Sequence, residues 1–304
     1  MRNIREILTL SRNVEQSILV VAAAHDEPVM VAVNSMLDLG ICKPILIGDK
    51  ERILDIIHKK QYNENNYTIY HADDDVSAAK MAVALIKNGK GDILMKGLLD
   101  TSVLLREVVN KETGIRQGQL LSHITLISHP NLNRVIFATD CAMTLYPTVE
   151  QKIAIIENAV TLLHILGYEE PKVGIISAVE KVNPKLISSY EAEAVIEHFE
   201  HVKDKQFIID GPFAVDNVLS IDAARHKGID SKVAGKADIL VFPNLDSGNV
   251  FYKTSVFLAG AEAAGIIVGA QVPIVLTSRA DLAITKLYSI ALAGVYQHGK
   301  NARR

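Results

Sequence analysis

A strand-to-helix turn organises the C-terminal part of the chain, and from Gly269 to Gly294 it reads GAQVPIVLTSRADLAITKLYSIALAG. The apolar run 273–277 predicts a strand, and a helical pattern of apolar residues follows directly after Ser278, Arg279 and Asp281. Backbone N–H groups and the positive end of the helix dipole favour an anion at such a turn. The stretch therefore predicts an anion-binding site at a strand end, with Asp281 in the first turn of the helix.

Short apolar strands alternate with longer helical stretches along the chain, a pattern typical of α/β proteins with mostly parallel sheets and helices on both faces. Thr148 and Gln151 form the pattern of a capping box at the start of a long helix. The predicted strands span 17–24, 44–48, 67–70, 92–95, 123–128, 134–138, 172–177, 206–210, 238–242 and 273–277. The predicted helices span 28–39, 49–60, 76–89, 102–110, 148–166, 184–200 and 216–224, and another begins near Val250.

Two more strand ends carry groups that suit an anion. Lys96 ends one strand, with Arg106 in the helix that follows, and Ser247-Gly248-Asn249 lies between another strand and its helix. Cations, hydroxyl and amide donors, and a glycine that lets the backbone approach all suit a phosphoryl group or another oxyanion. Ligands of open α/β sheets bind beyond the carboxyl ends of the strands. The alternative is that Lys96 and Arg279 are solvated residues at strand ends.

A short internal repeat favours a molecule of two halves. GKGDIL at 89–94 and GKADIL at 235–240 are followed, at the same spacing, by Leu-Asp-Thr and Leu-Asp-Ser. We expect a discontinuous domain of residues 1–118 plus 270–304 and a second domain of residues 119–269, with the active site in the cleft between them. Chance similarity is the alternative explanation of the repeat.

The composition argues against several classes of protein. The 304 residues carry a formal net charge of -3 and no basic stripe, so a nucleic-acid-binding protein is not expected. No apolar run reaches the ~20 residues that a membrane-spanning helix needs, and residues 1–10 predict an amphipathic helix and not an export signal. Cys42 and Cys141 are predicted to be buried free thiols, which fits a reducing cytoplasm.

Motifs of several enzyme classes are absent from the sequence. It lacks GxGxxG after a strand, GxxxxGK[ST], HExxH, CxxC and GxSxG, which argues against a conventional dinucleotide site, a P-loop, a zinc site and a nucleophile elbow. The acids 73–75 are predicted to cap the following helix, with metal binding as the alternative. His25 and His123 are predicted to be core or rim histidines.

Several blocks of the sequence together resemble the phosphate acetyl/butyryltransferase family, and its butyryltransferase branch more closely. The resemblance covers nearly the whole chain past residue 15, and VAGKADIL, SGNVFYK and SRAD followed by TKLYSIALA make it specific. The matching blocks are MKGLLDTSVLLRE (95–107), GIRQGQLLSH (114–123), DCAMTLYPTVEQK (140–152), SAVEKVNP (177–184), GPFAVDN (211–217), HKGIDSKVAGKADILVFPNLDSGN (226–249) and 273–291.

The resemblance implies an isocitrate/isopropylmalate dehydrogenase-like fold of two α/β domains and an enzyme without a metal or bound cofactor. Its implied substrates are coenzyme A or acyl-CoA, phosphate and acyl phosphate, and a homo-oligomer is expected. The implied reaction is direct, with the thiolate attacking the acyl phosphate in one direction and phosphate attacking the thioester in the other. Butyryl or a branched four- to five-carbon group is the acyl group that the branch favours.

The resemblance also assigns residues. Ser278 matches a serine that stabilises developing charge at the reacting carbonyl, Arg279 an arginine that holds phosphate, and Arg106 an arginine that contacts phosphate or coenzyme A. The family aspartate that deprotonates the thiol falls on Thr285, which cannot be a base at neutral pH. Asp281 is the nearest carboxylate that could replace it. The candidate catalytic residues are Ser278, Arg279 and Asp281, and the candidate substrate-binding residues are Lys96, Arg106, Ser247, Gly248, Asn249 and Thr285.

Three other functions stay open at this point. The first is phosphate acetyltransferase activity within the same family. The second is a metal- and nicotinamide-dependent dehydrogenase of the same fold, and the third is a non-catalytic protein that binds coenzyme A or acyl phosphate.

Overall fold

The computed structural model describes residues 1–278 and 281–303 of the chain. Its strands are β1 (Ser17–Ala22), β2 (Cys42–Gly48), β3 (Thr68–His71), β4 (Ile93–Lys96), β5 (Ser122–Ser128), β6 (Ile136–Thr139), β7 (Lys172–Ile176), β8 (Ile208–Phe213), β9 (Ile239–Val241), β10 (Glu262–Val268) and β11 (Ile274–Val275). Its helices are α1 (Glu6–Arg12), α2 (Glu27–Asp38), α3 (Lys50–Lys59), α4 (Asp75–Lys87), α5 (Thr101–Val108), α6 (Val149–Ile165), α7 (Ile187–Glu200), α8 (Val215–Leu219), α9 (Ile221–His226), α10 (Leu245–Lys253) and α11 (Ala283–Ala302). A 3-10 turn spans Glu64–Asn66, and a π-helix spans Thr254–Leu258.

The chain forms two compact units, each discontinuous in sequence. One unit, here called the terminal unit, contains Ile4–Leu121 and Ala263–Arg304. The other, the central unit, contains Met1–Asn3 and Ser122–Glu262. The chain therefore passes from one unit to the other more than once. The domain limits expected from the sequence stay a prediction.

The sheet of the terminal unit has the strand order β3-β2-β1-β4-β11-β10. All neighbouring pairs are parallel except β10 and β11, which are antiparallel. Ala22 of β1 is in register with Lys96 of β4, and Val275 of β11 is in register with Met95. The carboxyl ends of β1, β4 and β11 are therefore level at one edge of the sheet, where ligands of such sheets bind.

Helix α11 is the most buried helix around this edge. It packs against α1 and α2 as well as β4 and β11, and its buried side includes Ile290, Leu292 and Val295. Fully burying a side chain of this size contributes ~1.5–3 kcal/mol. This packing fixes the first turn of α11 close to the end of β11.

The central unit has the strand order β5-β6-β9-β7-β8. Strands β5 and β6 form an antiparallel pair, and the other neighbours are parallel. An apolar cluster that includes Phe213, Val218 and Leu240 fills the space between this sheet and its helices. Both units are thus mixed α/β layers with predominantly parallel strands, the class that the alternating pattern predicts.

Several local predictions are confirmed. Thr148 and Gln151 form the capping box of α6, and the side chain of Asp74 caps α4 by accepting the backbone N–H of Ser77 at 2.7 Å. Cys42 and Cys141 are buried free thiols. Among the described residues, no helix is both long and apolar enough to cross a membrane.

Three other local predictions are wrong. Residues 262–268, near the expected domain crossing, form strand β10, whose small residues Ala263, Ala264 and Gly265 give little β-strand signal. Helix α10 begins at Leu245, five residues before Val250, because the side chain of Asn244 caps it there. Helix α7 begins at Ile187, three residues after the predicted start.

Candidate active site

A small recess lies in the terminal unit beyond the carboxyl ends of β1, β4 and β11. Because these parallel strands end level with one another, the loops that follow them converge there. The recess is lined by Asp26, Val29, Lys96, Gly97, Leu98, Thr277, Ser278 and Lys286. Two lysines and two hydroxyl side chains in one small recess make it a candidate site for an anion.

Gly97 holds the loops after β1 and β4 together. Its backbone N–H donates to the carbonyl of Ala22 at 2.8 Å, and the N–H of Leu98 donates to the carbonyl of Ala23 at 2.8 Å. A Cβ atom on Gly97 would lie 2.1 Å from the carbonyl oxygen of Ala23, which is far inside van der Waals contact. Only glycine therefore allows this approach, and the approach positions the neighbouring Lys96.

Lys96 is buried at the end of β4, with 4% of its surface exposed. Its Nζ donates to the carbonyl oxygens of Gly97 at 3.1 Å and Leu99 at 3.0 Å. These bonds curl the side chain back over the strand end and hold its charge at the recess. The alternative that Lys96 is a solvated residue at a strand end is wrong, because the side chain is buried.

Thr277 carries a buried hydroxyl at the end of the loop after β11. The residue is 6% exposed, and its Oγ1 has no hydrogen-bond partner within residues 1–278 and 281–303. A buried hydroxyl without a partner costs ~1–3 kcal/mol. Thr277 lines the recess beside Ser278, which makes its unpartnered hydroxyl a candidate donor to a bound molecule.

Lys286 lies in the first turn of α11 and is 2% exposed. Its Nζ donates to the carbonyl oxygens of Ser278 and Asp281, at 3.0 Å each. Burial lowers the pKa of Lys286, while Asp281 and Asp26 act in the opposite direction. Lys286 therefore joins the turn at residue 278 to helix α11 and brings to the recess an amine whose pKa is lowered by burial.

Of the predicted catalytic residues, the structure describes Ser278 and Asp281, and Arg279 lies outside the described residues. Ser278 lines the recess, and its backbone N–H donates to the carboxylate of Asp281 at 2.7 Å. Asp281 is 9% exposed and lies two residues before α11, so it is not an acid of the first helical turn. Its carboxylate instead closes the turn that presents Ser278.

Two of the predicted substrate-binding residues in the terminal unit do not line the recess. Thr285 is buried in the first turn of α11, where its carbonyl accepts the hydroxyl of Ser289 at 2.8 Å. Arg106 is exposed in the last turn of α5. Of the predicted substrate-binding residues in the terminal unit, Lys96 does line the recess.

The predicted substrate-binding residues of the central unit form the start of α10. Ser247 donates its hydroxyl to the carbonyl of Asn244 at 2.9 Å, and the amide of Asn249 donates to the carbonyl of Cys141 at 3.2 Å. A Cβ atom on Gly248 would lie 2.5 Å from the carbonyl oxygen of Asp140. The contacts of Gly248 and Asn249 fasten the helix to the loop after β6. Substrate binding by the three residues stays a prediction.

That loop is itself held by a buried carboxylate. Asp140 accepts the backbone N–H groups of Ala142 and Met143, each at 2.8 Å, and that of His123 at 3.2 Å. Burial raises the pKa of Asp140, although these hydrogen bonds oppose the rise. The pKa of His123 is lowered to about 4, mainly by burial and then by Lys253. His123 is thus a neutral core histidine near pH 7, as the sequence predicts.

Sequence reasoning missed Thr277, Lys286 and Asp26 as lining residues. A lysine within the otherwise apolar run of α11 was the signal that could have found Lys286, since such a position is normally apolar. Thr277 gives no comparable signal, because its burial and its missing partner exist only in the folded chain. Among the described residues, no group of three or more His, Cys, Asp or Glu side chains could hold a metal ion.

The fold and the recess define a class of protein: a mixed α/β protein with a recess beyond the ends of its parallel strands, the place where such proteins bind ligands. The chain belongs to the phosphate acetyl/butaryl transferase family, whose model matches residues 3–294. The resemblance deduced from the sequence blocks is thereby confirmed. Members of the family are acyltransferases, and this chain is one of them.

Individual relatives match over almost their whole length. A phosphate butyryltransferase of Clostridium acetobutylicum is 41% identical over 299 residues, which cover 98% of this chain and 99% of the relative. A phosphate acetyltransferase of Thermotoga maritima is 40% identical over 278 residues, 91% of this chain and 94% of the relative. The crystal structure of a branched-chain phosphotransacylase from Enterococcus faecalis V583 superposes with a TM-score of 0.84 at 32% identity, covering 93% of this chain and 99% of that one.

Proposed function

We propose that this acyltransferase moves a butyryl group, or a branched four- to five-carbon acyl group, reversibly between coenzyme A and phosphate. The observation that carries the proposal is the recess lined by Lys96, Lys286 and Thr277, whose buried hydroxyl has no partner among the described residues. Phosphate supplies anionic oxygens that match this set of donors. Relatives named phosphate butyryltransferase and branched-chain phosphotransacylase support the choice of acyl group.

The proposed reaction needs no covalent intermediate on the enzyme. In one direction the thiolate of coenzyme A attacks the carbonyl carbon of the acyl phosphate, the C–S bond forms, and phosphate leaves with the electron pair of the C–O bond. In the other direction a phosphate oxygen attacks the thioester and the thiolate leaves. Negative charge collects on the carbonyl oxygen in both directions, and fixed donors around that oxygen lower the barrier.

Different residues of the recess are assigned to the phosphate group and to the carbonyl oxygen. We assign the hydroxyl of Thr277 and the ammonium of Lys96 to oxygens of the phosphate group. Ser278, which stands exposed at the rim of the recess, stabilises the charge that develops on the carbonyl oxygen. Arg279 is assigned to phosphate by the sequence resemblance alone. Asp281 maintains the turn that presents Ser278, since its carboxylate is bonded to the backbone N–H of that residue.

The remaining assignments rest on the family resemblance. Arg106, Thr285 and the Ser247-Gly248-Asn249 segment stay predicted contacts of the substrates. An isocitrate dehydrogenase-like arrangement with the active site in an interdomain cleft also stays a prediction, as do a cytoplasmic location and a homo-oligomer. Coenzyme A acts in this proposal as a substrate and not as a bound cofactor.

A series of acyl-CoA substrates with two to five carbons in the acyl group tests the proposal. Release of free thiol is followed with a chromogenic thiol reagent, with and without phosphate, and kcat/KM is compared along the series. One methylene in an apolar pocket is worth ~1–3 kcal/mol, so the preferred length should stand out clearly. We expect phosphate-dependent release that is fastest with butyryl-CoA or a branched analogue.

Three results would contradict the proposal in different ways. A clear preference for acetyl-CoA would make the chain a phosphate acetyltransferase, in line with the Thermotoga maritima relative. Reduction of a nicotinamide cofactor that depends on magnesium would favour the dehydrogenase alternative. Binding of coenzyme A without turnover of any acyl group would favour the non-catalytic alternative.

A further inference from the structure

The proposed reaction requires a group that takes up and returns the proton of the coenzyme A thiol. A thiol with an ordinary pKa of ~8.5 is mostly protonated at neutral pH, and the thiolate is the attacking species. The helix position where the family resemblance places a carboxylate base holds Thr285, which cannot serve as one. One carboxylate oxygen of Asp281 accepts the backbone N–H of Ser278 at 2.7 Å, which holds this side chain in the turn.

We propose that Lys286 is the catalytic residue that accepts the thiol proton of coenzyme A and returns it in the reverse direction, an inference that rests on the proposed acyl transfer. It lines the recess together with Ser278 and Thr277. Its amine lies within the same cluster of donors to which the phosphate and carbonyl oxygens are assigned. The reacting thiol must come to this cluster for attack on the carbonyl carbon.

The hydrogen bonds of Lys286 are compatible with a neutral amine as well as with an ammonium. A neutral amine has two N–H groups and one lone pair, whereas an ammonium has three N–H groups and no acceptor. The carbonyl oxygens of Ser278 and Asp281 accept two N–H groups, each at 3.0 Å. The fourth tetrahedral position is then a lone pair that can accept a proton. When the proton arrives, both carbonyl bonds persist and stabilise the ammonium.

The surroundings of Lys286 act in opposite directions on its pKa. The charged groups that face the recess from neighbouring elements are Asp26 before α2, Lys96 at the end of β4 and Asp281 before α11. Burial, which is nearly complete at 2% exposure, favours the neutral amine. The carboxylates of Asp281 and Asp26 favour the ammonium. A general base works best when its pKa lies near the operating pH.

The resulting proton transfer is balanced in both directions. The thiol proton moves to Nζ of Lys286 as the sulfur electron pair forms the bond to the carbonyl carbon, and phosphate departs with the electrons of the broken C–O bond. In reverse, phosphate attacks the thioester, the C–S bond breaks, and the ammonium returns its proton to the leaving sulfur. No other reactant is consumed.

The substitution Lys286→Arg separates proton transfer from structural support. Arginine keeps N–H donors and a positive charge but cannot lose its proton in a protein. General acid–base catalysis contributes ~10²–10⁴-fold to rate, so kcat for acyl phosphate plus coenzyme A should fall within that range at neutral pH. The matched control is Lys300→Arg: Lys300 lies on the same helix outside the recess and donates to the carbonyls of Ala270 and Gln271 at 2.9 and 3.2 Å. It should keep wild-type kcat.

The pH profile and chemical rescue provide the second test, with Lys286→Met in case the arginine does not fit. The residual rate of Lys286→Met should rise with pH up to ionisation of the thiol, while the wild-type rate levels off earlier. Added methylamine should restore part of the lost rate. An unchanged kcat in Lys286→Arg, or a pH profile of folded Lys286→Met that matches the wild type, would overturn the assignment. If the wild-type protein itself shows no acyl transfer, it is the proposed function that fails.

Discussion

Replacing Thr277 with valine should make the protein more stable and a poorer enzyme. The hydroxyl is buried and has no partner among the described residues, so the folded protein pays a desolvation cost for it. Valine has nearly the same shape and removes that polar atom. From the ~1–3 kcal/mol cost of an unsatisfied buried group, the free energy of unfolding of Thr277→Val should rise by about 1 kcal/mol or more.

The same substitution should weaken phosphate binding. A hydrogen bond to a charged group is worth ~1.5–3 kcal/mol, which corresponds to roughly a 10- to 150-fold rise in KM for phosphate. Because the hydroxyl is assigned to phosphate, KM for acyl-CoA should change much less. Thr277→Ser, which keeps a hydroxyl, should retain most of the phosphate affinity.

Urea unfolding and steady-state kinetics measure the two effects. Thr139→Val is the matched control for stability, because the Oγ1 of Thr139 is also buried but donates to the carbonyl of His123 at 2.9 Å. The control should lose stability where Thr277→Val gains it. A Thr277→Val protein that is less stable than wild type and has an unchanged KM for phosphate would refute the reasoning.

Three further predictions concern Gly97, the buried histidine His123 and the two cysteines. Gly97→Ala should destabilise the protein by more than the ~1–3 kcal/mol typical of overpacking, measured by urea unfolding, because its Cβ would lie 2.1 Å from a backbone oxygen of Ala23. The pKa of His123 is near 6.5 in the unfolded chain and about 4 in the folded protein, so the free energy of unfolding should fall as pH drops from 6.5 to 4, by about 3 kcal/mol from this residue. Unfolding curves at several pH values measure this fall, which should be smaller in His123→Gln. Burial raises the pKa of Cys42 to about 12 and also raises that of Cys141, so the folded protein should not react with a thiol reagent at pH 8, whereas urea should expose both thiols.

Secondary structure was predictable where the local sequence signals, such as β-branched runs and capping residues, match the folded structure. The strand at residues 17–22 and the helix beginning at residue 149 follow from a β-branched run and from the Thr148 capping box. Strand β10 was missed because its alanines and glycine have low strand propensity, and its place in the sheet depends on pairing with β11. The start of α10 at Leu245 was missed because asparagine is favoured both in turns and at helix N-caps, so the sequence does not show which role Asn244 has.

The candidate site was predictable in part for a related reason. Lys96 and Ser278 were found because both follow strand patterns directly, and strand ends meet at one edge of a parallel sheet. Lys286 was missed because helical periodicity does not show that the first turn of α11 folds back over the strand end. The position of Asp281 was misjudged because α11 begins two residues later than its apolar pattern indicates.

The most direct test of the central claim is a ³¹P NMR experiment on the wild-type protein with butyryl-CoA and inorganic phosphate, run alongside an assay of free thiol. Acyl transfer to phosphate predicts that the phosphorus signal of an acyl phosphate appears and that one thiol is released for each acyl phosphate formed. Release of thiol without acyl phosphate would show hydrolysis of the thioester. That result, or the absence of both products with every short acyl-CoA, would contradict acyl transfer between coenzyme A and phosphate.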